Sequence, residues 1–176
     1  MYFLILRFSL DNFHLVFVCT GNICRSPMAE GIMKECILDD VESSGKHLPI
    51  KVLSAGTNAV DGFPASEYAI EVSARNGIDI SAHRSQELTD RIMKSADLIL
   101  TMEPFHTSAI SQYWPDCENV YELKSYNSDK QLKISDITVI DPIGMSLEIY
   151  LDVFYEIKQE IERISQSIFN NARDNF

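Results

Sequence analysis

Short apolar runs alternate with amphipathic stretches along this chain. Strands are predicted at 14–18, 52–53, 97–102 and 120–123, because nearly continuous apolar runs are typical of parallel strands buried on both faces. Helical spacing predicts helices at 27–38, 65–76, 90–95, 104–113 and, most strongly, 147–169. The alternation predicts an α/β fold, in which a parallel, doubly wound sheet of about four strands is flanked by about five helices.

Polar segments separate these elements and suggest the domain limits. Residues 39–51 and 124–135 are polar and irregular, so we predict loops there, and 78–88 reads as a long connection. We divide the chain into an N-terminal extension at 1–13, a single domain at 14–169 and a C-terminal tail at 170–176 that is expected to fray.

The apolar start of the extension, MYFLIL, is too short to span a bilayer. No basic residues precede it, so we favour an additional segment over a signal peptide and expect a cytoplasmic protein. The net charge of -11 over 176 residues disfavours nucleic acid or an anionic membrane as a partner, and we expect a monomer.

The four cysteines are too few and too scattered for a secreted disulfide framework. None of them pairs with histidines at zinc-like spacing, so we predict no metal site.

The segment HLVFVCTGNICRSPMAE at 14–30 joins a predicted strand to a predicted helix through a tight loop. We take Ser26 as the helix N-cap and Pro27 as the first helical residue. A helix N-terminus attracts anions through its free N–H groups, and the same field favours a thiolate. The sequence therefore predicts a phosphate-binding loop formed by Thr20, Gly21, Asn22, Ile23, Cys24, Arg25 and Ser26.

Cys19 and Arg25 give this loop a chemical function. A thiolate can attack phosphorus while a guanidinium holds two oxyanion oxygens, which predicts phosphate-ester cleavage through a cysteinyl-phosphate. The alternative is a pair of buried thiols beside a surface arginine, because a C-x5-R spacing alone arises by chance. The strand, loop and helix in register around it favour the catalytic interpretation.

Two residues far along the chain are candidates to complete the site. Asp141, held extended by Pro142 on a loop before the last helix, suits a proton donor for the leaving group, and Asp136 is a second candidate. Taken alone, the Asp-Pro pair is more simply a turn. Ser54 follows the second strand and either hydrogen-bonds the loop through Asn22 or is a plain turn serine.

Several motifs together resemble the low-molecular-weight protein tyrosine phosphatase family: VFVCTGNICRSPMAE, SAGT, SAHRSQEL, ADLILTME and DPIG. The resemblance spans 14–168 and implies a flavodoxin-like, three-layer fold. It implies Cys19 as the nucleophile, Arg25 as the phosphate-binding arginine and Asp141 as the general acid and then base. It further implies that Ser26 stabilises the thiolate and that Asn22 and Ser54 brace the loop.

The resemblance also implies a redox partner and a set of ligands. Cys24 matches a cysteine that forms a protective disulfide with the nucleophile. The expected ligands are a phosphorylated protein substrate and inorganic phosphate or other oxyanions. No metal or organic cofactor is expected, since the loop N–H groups and Arg25 supply the positive charge. His83 lies in a family-like stretch, and we interpret it as structural.

Substrate choice remains open between two branches of the family. Tyrosine-specific eukaryotic members resemble DPYY where this chain has Ile143 and Gly144, and the segment 55–62 has no aromatic residue. Arginine phosphatases resemble this chain around CTGN and SAG but typically have threonine in place of Ile23, which is the tyrosine-type choice. We therefore favour phosphotyrosine, with phosphoarginine as the alternative. An aromatic wall could come from Tyr113, Trp114 or Tyr126, although packing is the simpler use of these side chains.

Two other activities fit less well. Thioredoxin-coupled arsenate reductases share this fold and loop, but they need further cysteines around the third helix, and residues 72–101 contain none. A non-catalytic phosphate-binding module would not need Cys19, Arg25 and Asp141 together.

Overall fold

One parallel sheet of four strands forms the centre of the protein in this computed structural model, which describes residues 12–175. The strands are β1 (Phe13–Cys19), β2 (Ile50–Gly56), β3 (Leu98–Thr101) and β4 (Val120–Glu122). Their order in the sheet is β2-β1-β3-β4, so β1 lies at the centre and its carboxyl end meets those of β2 and β3. The predicted extension lies almost entirely outside the described residues.

Six helices are described, which are α1 (Arg25–Ser44), α2 (Glu67–Arg75), α3 (Asp90–Ser95), α4 (Pro104–Tyr113), α5 (Ile134–Ile137) and α6 (Leu147–Asn175). Successive side chains of β1 point to opposite faces of the sheet, and each face packs against a different layer of helices. Leu15 and Phe17 pack with α1 and α6, whereas Val16 and Val18 pack with α3 and α4 on the other face. The predicted three-layer α/β fold is thus confirmed. No helix of the described part is long and apolar enough to cross a membrane.

Two helices run further than the sequence pattern predicted. α1 continues to Ser44 instead of ending near residue 38, and Gly45 then ends it with a φ of 65°. α6 continues to Asn175, so the tail expected to fray is helical, with Ala172 fully buried. Arg173 on α6 pairs with Asp40 on α1. This ion pair joins the two helix ends that lie beyond the predicted limits, so each end stabilises the other. The short helix α5 was not predicted.

Candidate active site

The loop between β1 and α1 lies at the carboxyl edge of the sheet, where parallel α/β folds bind ligands. Gly56 of β2 pairs with Cys19 and allows the loop to approach closely. A Cβ at Gly56 would lie 2.4 Å from the carbonyl oxygen of Thr20 and 3.0 Å from the amide nitrogen of Asn22. The amide of Asn58 donates to that same carbonyl of Thr20 at 3.0 Å, so β2 fixes the start of the loop.

Asn22 holds the middle of the loop in a left-handed conformation, with a φ of 54°. Its buried side-chain amide donates to the hydroxyls of Ser26 and Ser54, each at 2.9 Å. Its Oδ1 accepts from the amide of Gln86 at 2.9 Å. The predicted contact between Ser54 and Asn22 is present, and three separate segments therefore hold the unusual backbone of the loop.

An outer layer of hydrogen bonds supports Asn22 and Ser54. Nε2 of His83 donates to the carbonyl of Asn22 at 2.8 Å, which agrees with the structural role predicted for this histidine. The Ser54 hydroxyl donates to Oε2 of Glu30 at 2.5 Å, and Nε2 of the Gln86 side chain donates to the Ser54 carbonyl at 2.8 Å. The long connection between α2 and α3 thus serves as the loop's support.

Cys19 ends β1 with its side chain almost fully buried, and its Sγ lies 3.0 Å from Oγ of Ser26. The predictions of Ser26 as N-cap and Pro27 as first helical residue are wrong, because α1 begins two residues before Pro27, at Arg25. Ser26 is already helical, and its hydroxyl turns toward Cys19 and Asn22 instead of capping the helix. The hydroxyl is therefore available to stabilise a thiolate.

Arg25 is 1% exposed and is held by two carboxylates. Its Nη2 donates to Asp141 at 2.6 Å, and its Nη1 donates to Glu103 at 2.8 Å and to the carbonyl of Val139 at 3.0 Å. The fold therefore brings Asp141 to the loop, whereas Asp136 is exposed on α5 and bonds the amide of Lys133. Nε of Arg25 is buried and has no hydrogen-bond partner among the described residues.

Glu103 and His106 also belong to this site, and neither was predicted from the sequence. Glu103 lies two residues after the end of β3 at Thr101, and an acidic residue just beyond the carboxyl end of a central strand was a usable signal. His106 had no such signal. Its Nε2 lies 2.9 Å from Oγ1 of Thr20, and burial, with a smaller effect of Arg25, lowers the pKa of His106 to about 4.

Cys24 is the loop residue that contacts α6. Its thiol is 3.2 Å from the Tyr150 hydroxyl and 3.4 Å from Oγ of Ser66. Burial raises the pKa of Cys24 and keeps it in the thiol form. Cys24 and Cys19 are both free thiols here, so the disulfide implied by the family resemblance stays a prediction.

A mainly apolar groove of about 440 Å³ opens beside the loop. Gly21 and Ile23 form one side, and Val60 and Phe63 line it from the segment between β2 and α2. Phe63 is 57% exposed and lies one residue beyond the segment 55–62, which has no aromatic residue.

The aromatic residues considered from the sequence have other contacts. Trp114 donates its indole N–H to Asp90, and Tyr126 packs edge-on against Tyr121. Among the described residues, no cluster of three or more histidine, cysteine, aspartate or glutamate side chains could hold a metal ion.

Comparison with known proteins agrees with this geometry. The family model described as low molecular weight phosphotyrosine protein phosphatase matches residues 14–174. A probable low molecular weight protein-tyrosine-phosphatase, EpsP, of Ralstonia nicotianae is 41% identical over 101 residues, which are 57% of this chain and 63% of that protein. The chain therefore matches less than two thirds of the length of this relative.

Other relatives are matched over nearly their whole length. A protein-arginine-phosphatase of Bacillus subtilis is 34% identical over 90% of this chain and 99% of its own. The low molecular weight protein tyrosine phosphatase from T. tengcongensis is 36% identical, with a TM-score of 0.75 over 89% of this chain and 99% of that one.

A further solved structure holds a ligand. Wzb from Vibrio vulnificus, in complex with benzylphosphonate, is 28% identical, with a TM-score of 0.74 over 89% of this chain and 99% of that one. The family model covers nearly all of the chain, and the solved structures have the same fold. The chain thus belongs to the low molecular weight phosphotyrosine protein phosphatase family.

Proposed function

We propose that this protein hydrolyses phosphotyrosine on protein substrates through a cysteinyl-phosphate intermediate. The observation that carries the proposal is the meeting of Arg25 and Asp141 at 2.6 Å, at the first residue of the helix that follows the Cys19 loop. This contact supports one site in which Cys19 is the nucleophile, Arg25 is the anion-binding cation and Asp141, from a distant part of the chain, is the proton donor.

In the first step the Cys19 thiolate attacks phosphorus in line with the leaving group. The S–P bond forms as the P–O bond to the phenol breaks, and Asp141 donates its proton to the departing oxygen. Loop N–H groups and Arg25 bind the equatorial oxygens, where charge is held in the transition state. The buried Nε of Arg25 is a donor that no described residue uses, and it suits one of these oxygens.

In the second step water attacks phosphorus and the S–P bond breaks. Asp141, now a carboxylate, accepts the proton of the attacking water, and inorganic phosphate leaves. The electron pair returns to Cys19 as a thiolate, which the Ser26 hydroxyl 3.0 Å away stabilises by hydrogen bonding. Asn22 and Ser54 keep the loop in the conformation that both steps need.

The groove beside the loop supports an aryl phosphate as the substrate. An aromatic ring attached to the bound phosphate can pack between Ile23 and Phe63, whose side chains offer apolar surface and no hydrogen-bond partners. The Wzb relative binds benzylphosphonate, a phosphonate on an aromatic group. Phosphoarginine is the second candidate, favoured by the Bacillus subtilis relative that matches 90% of this chain.

The experiment that tests the chemistry compares Cys19→Ser with Cys117→Ser. Cys117 bonds Asn119 and lies in the other helix layer, so its variant controls for the loss of one thiol. We expect Cys19→Ser to abolish hydrolysis of phosphotyrosine peptides while still binding phosphate or vanadate, and Cys117→Ser to remain active. Full activity of Cys19→Ser would refute the proposal.

A second measurement tests the substrate. Turnover of matched phosphotyrosine and phosphoarginine peptides by the natural protein should favour phosphotyrosine, and Ile23→Thr should shift the ratio toward phosphoarginine. A preference for phosphoarginine in the natural protein would assign it to the arginine branch.

We also propose a reducing, cytoplasmic location and a monomeric enzyme that oxidation inactivates reversibly. The mechanism needs Cys19 as a free thiolate, and all four cysteines are free thiols in the structure. We expect a phosphorylated protein as the partner, and neither nucleic acid nor a membrane surface, in keeping with the net charge of -11.

A further inference from the structure

We propose that His106 is a positioning residue of this phosphatase, which fixes the Thr20 side chain and thereby the first turn of the phosphate-binding loop. The proposal rests on the proposed function. It adds a role for a fully buried histidine that the two catalytic steps do not use.

His106 reaches the site from α4 and lies close to both the loop residue Thr20 and the carboxylate of Glu103. Its Nε2 lies 2.9 Å from Oγ1 of Thr20, the residue that follows the nucleophile. The same nitrogen lies 3.6 Å from Oε1 of Glu103, and that oxygen also accepts from Nη1 of Arg25 at 2.8 Å. One edge of the imidazole thus lies between the loop and the carboxylate that holds the arginine.

The surroundings of His106 select one form of the ring. Burial and the nearby Arg25 favour the neutral imidazole, which carries a single N–H. With the proton on Nε2, the ring donates to the Thr20 hydroxyl and presents its positive edge to Glu103. With the proton on Nδ1, the lone pair of Nε2 would face that carboxylate. The Nε2–H form is therefore preferred, and Thr20 accepts.

Packing alone does not explain a histidine at this position. Nδ1 of His106 is buried and has no hydrogen-bond partner among the described residues, which lowers the stability of the folded protein. A leucine would fill similar space without that penalty. The polar contact with Thr20 is what the imidazole provides and a leucine could not.

The position of Thr20 matters because it is the first residue of the phosphate-binding loop. The Thr20 carbonyl already accepts from the amide of Asn58 at 3.0 Å, so the His106 contact holds the residue at a second point. The loop N–H groups that follow must point at the equatorial oxygens of the phosphoryl group, and small errors in such alignment slow the reaction.

The test measures hydrolysis of an aryl phosphate by three single variants, one double variant and a control. Thr20→Val replaces the hydroxyl with a methyl group of similar size, and His106→Asn places its amide near the position of Nδ1, short of Thr20. His106→Gln extends its amide to the position of Nε2. We expect kcat to fall about tenfold in the first two, with a smaller change in KM, and to recover largely in His106→Gln.

The double variant Thr20→Val, His106→Asn decides whether the two residues act together. We expect it to be no slower than either single variant, because both changes break the same contact. Multiplied losses, an unimpaired Thr20→Val or a His106→Gln as slow as His106→Asn would each overturn the proposal. His47→Gln, at an exposed loop position, is the matched control and should leave turnover unchanged.

Two additional measurements keep this inference separate from the proposed function. Thermal unfolding of each variant identifies any loss caused by misfolding, and Thr20→Val still decides the question if the histidine variants do not fold. Binding of inorganic phosphate by calorimetry should weaken in Thr20→Val and His106→Asn. If the natural protein binds phosphate but hydrolyses no aryl phosphate, the proposed function fails, and the phosphate affinities alone test the positioning role.

Discussion

Asp141 accepts a hydrogen bond from Nη2 of Arg25 at 2.6 Å, so the proposed proton donor and the proposed anion-binding cation form one ion pair. The two side chains differ in burial, since that of Asp141 is 39% exposed and that of Arg25 is 1% exposed, so Asp141 has more room to move. A phosphate dianion that binds Arg25 competes with Asp141 for the guanidinium. We infer that substrate binding frees Asp141 from Arg25, that the freed carboxylate takes up a proton from water, and that the resulting acid faces the leaving group while the arginine stays in place.

Replacing Asp141 with alanine should slow poor leaving groups far more than activated ones. We expect kcat for a phosphotyrosine peptide to fall roughly 100- to 1000-fold, the usual contribution of a general acid, while p-nitrophenyl phosphate loses much less. Steady-state kinetics on both substrates measures the difference. Asp136→Ala is the matched control, since Asp136 bonds the amide of Lys133 on α5. If Asp136→Ala instead lost activity on the phosphotyrosine peptide and Asp141→Ala did not, Asp136 would be the general acid.

The sequence pattern predicted the parts of the fold that depend on neighbouring residues. The apolar run of β1 is a local feature, and so is the start of α3 at Asp90, where the Thr89 hydroxyl accepts from the amide of Ile92. The ends of α1 and α6 were missed because they depend on the pairing of Asp40 with Arg173, which are distant in sequence. Local spacing contains no information about such a pair.

In the candidate site, too, the features that depend on neighbouring residues were predicted more readily than those that depend on distant ones. The loop was predictable because strand, tight turn and helix follow one another within 14–30. Glu103 and Phe63 were missed because they reach the loop from other segments of the chain, although the position of Glu103 after a central strand was a usable signal. Ser26 was placed correctly in the loop but given the wrong local role, because propensity cannot tell a capping hydroxyl from one that turns toward Cys19.

Gly56→Ala should disable the site by displacing the loop backbone. The added Cβ would lie 2.4 Å from the Thr20 carbonyl oxygen, and neither the strand nor the loop can yield easily. We expect at least a tenfold loss of kcat and a lower melting temperature, measured by kinetics and thermal unfolding. Gly45→Ala is the control, because its Cβ meets open space and its φ of 65° costs about 1 kcal/mol without touching the site. Full activity of Gly56→Ala would contradict this prediction, because it would show that the loop backbone can move away from the added Cβ without loss of function.

Mild peroxide should inactivate the protein reversibly through a disulfide between Cys19 and Cys24. Oxidised Cys19 would be attacked by Cys24, although burial raises the pKa of the Cys24 thiol and should make the reaction slow. Mass spectrometry after peroxide should find the bond, and dithiothreitol should restore activity. Cys24→Ser should instead lose activity irreversibly. Absence of the bond in the inactivated natural protein would contradict this prediction.

His106 should make the stability of the protein fall as the pH drops below about 6.5. Its pKa is lowered to about 4 in the folded protein, first by burial and then by Arg25, while Glu103 and Asp141 oppose the shift. Between these two values the unfolded chain binds a proton that the folded protein does not, so acid favours unfolding.

Urea unfolding of the natural protein and of His106→Gln from pH 7 to pH 4 measures this effect. The free energy of unfolding of the natural protein should decline by more than that of the variant, with a difference on the order of 3 kcal/mol at pH 4. The comparison removes the contribution of the carboxylates that both proteins share. A difference that stays constant with pH would mean that the buried imidazole is already charged at neutral pH or gains a proton without penalty, and the neutral Nε2–H form assigned to His106 would then be wrong.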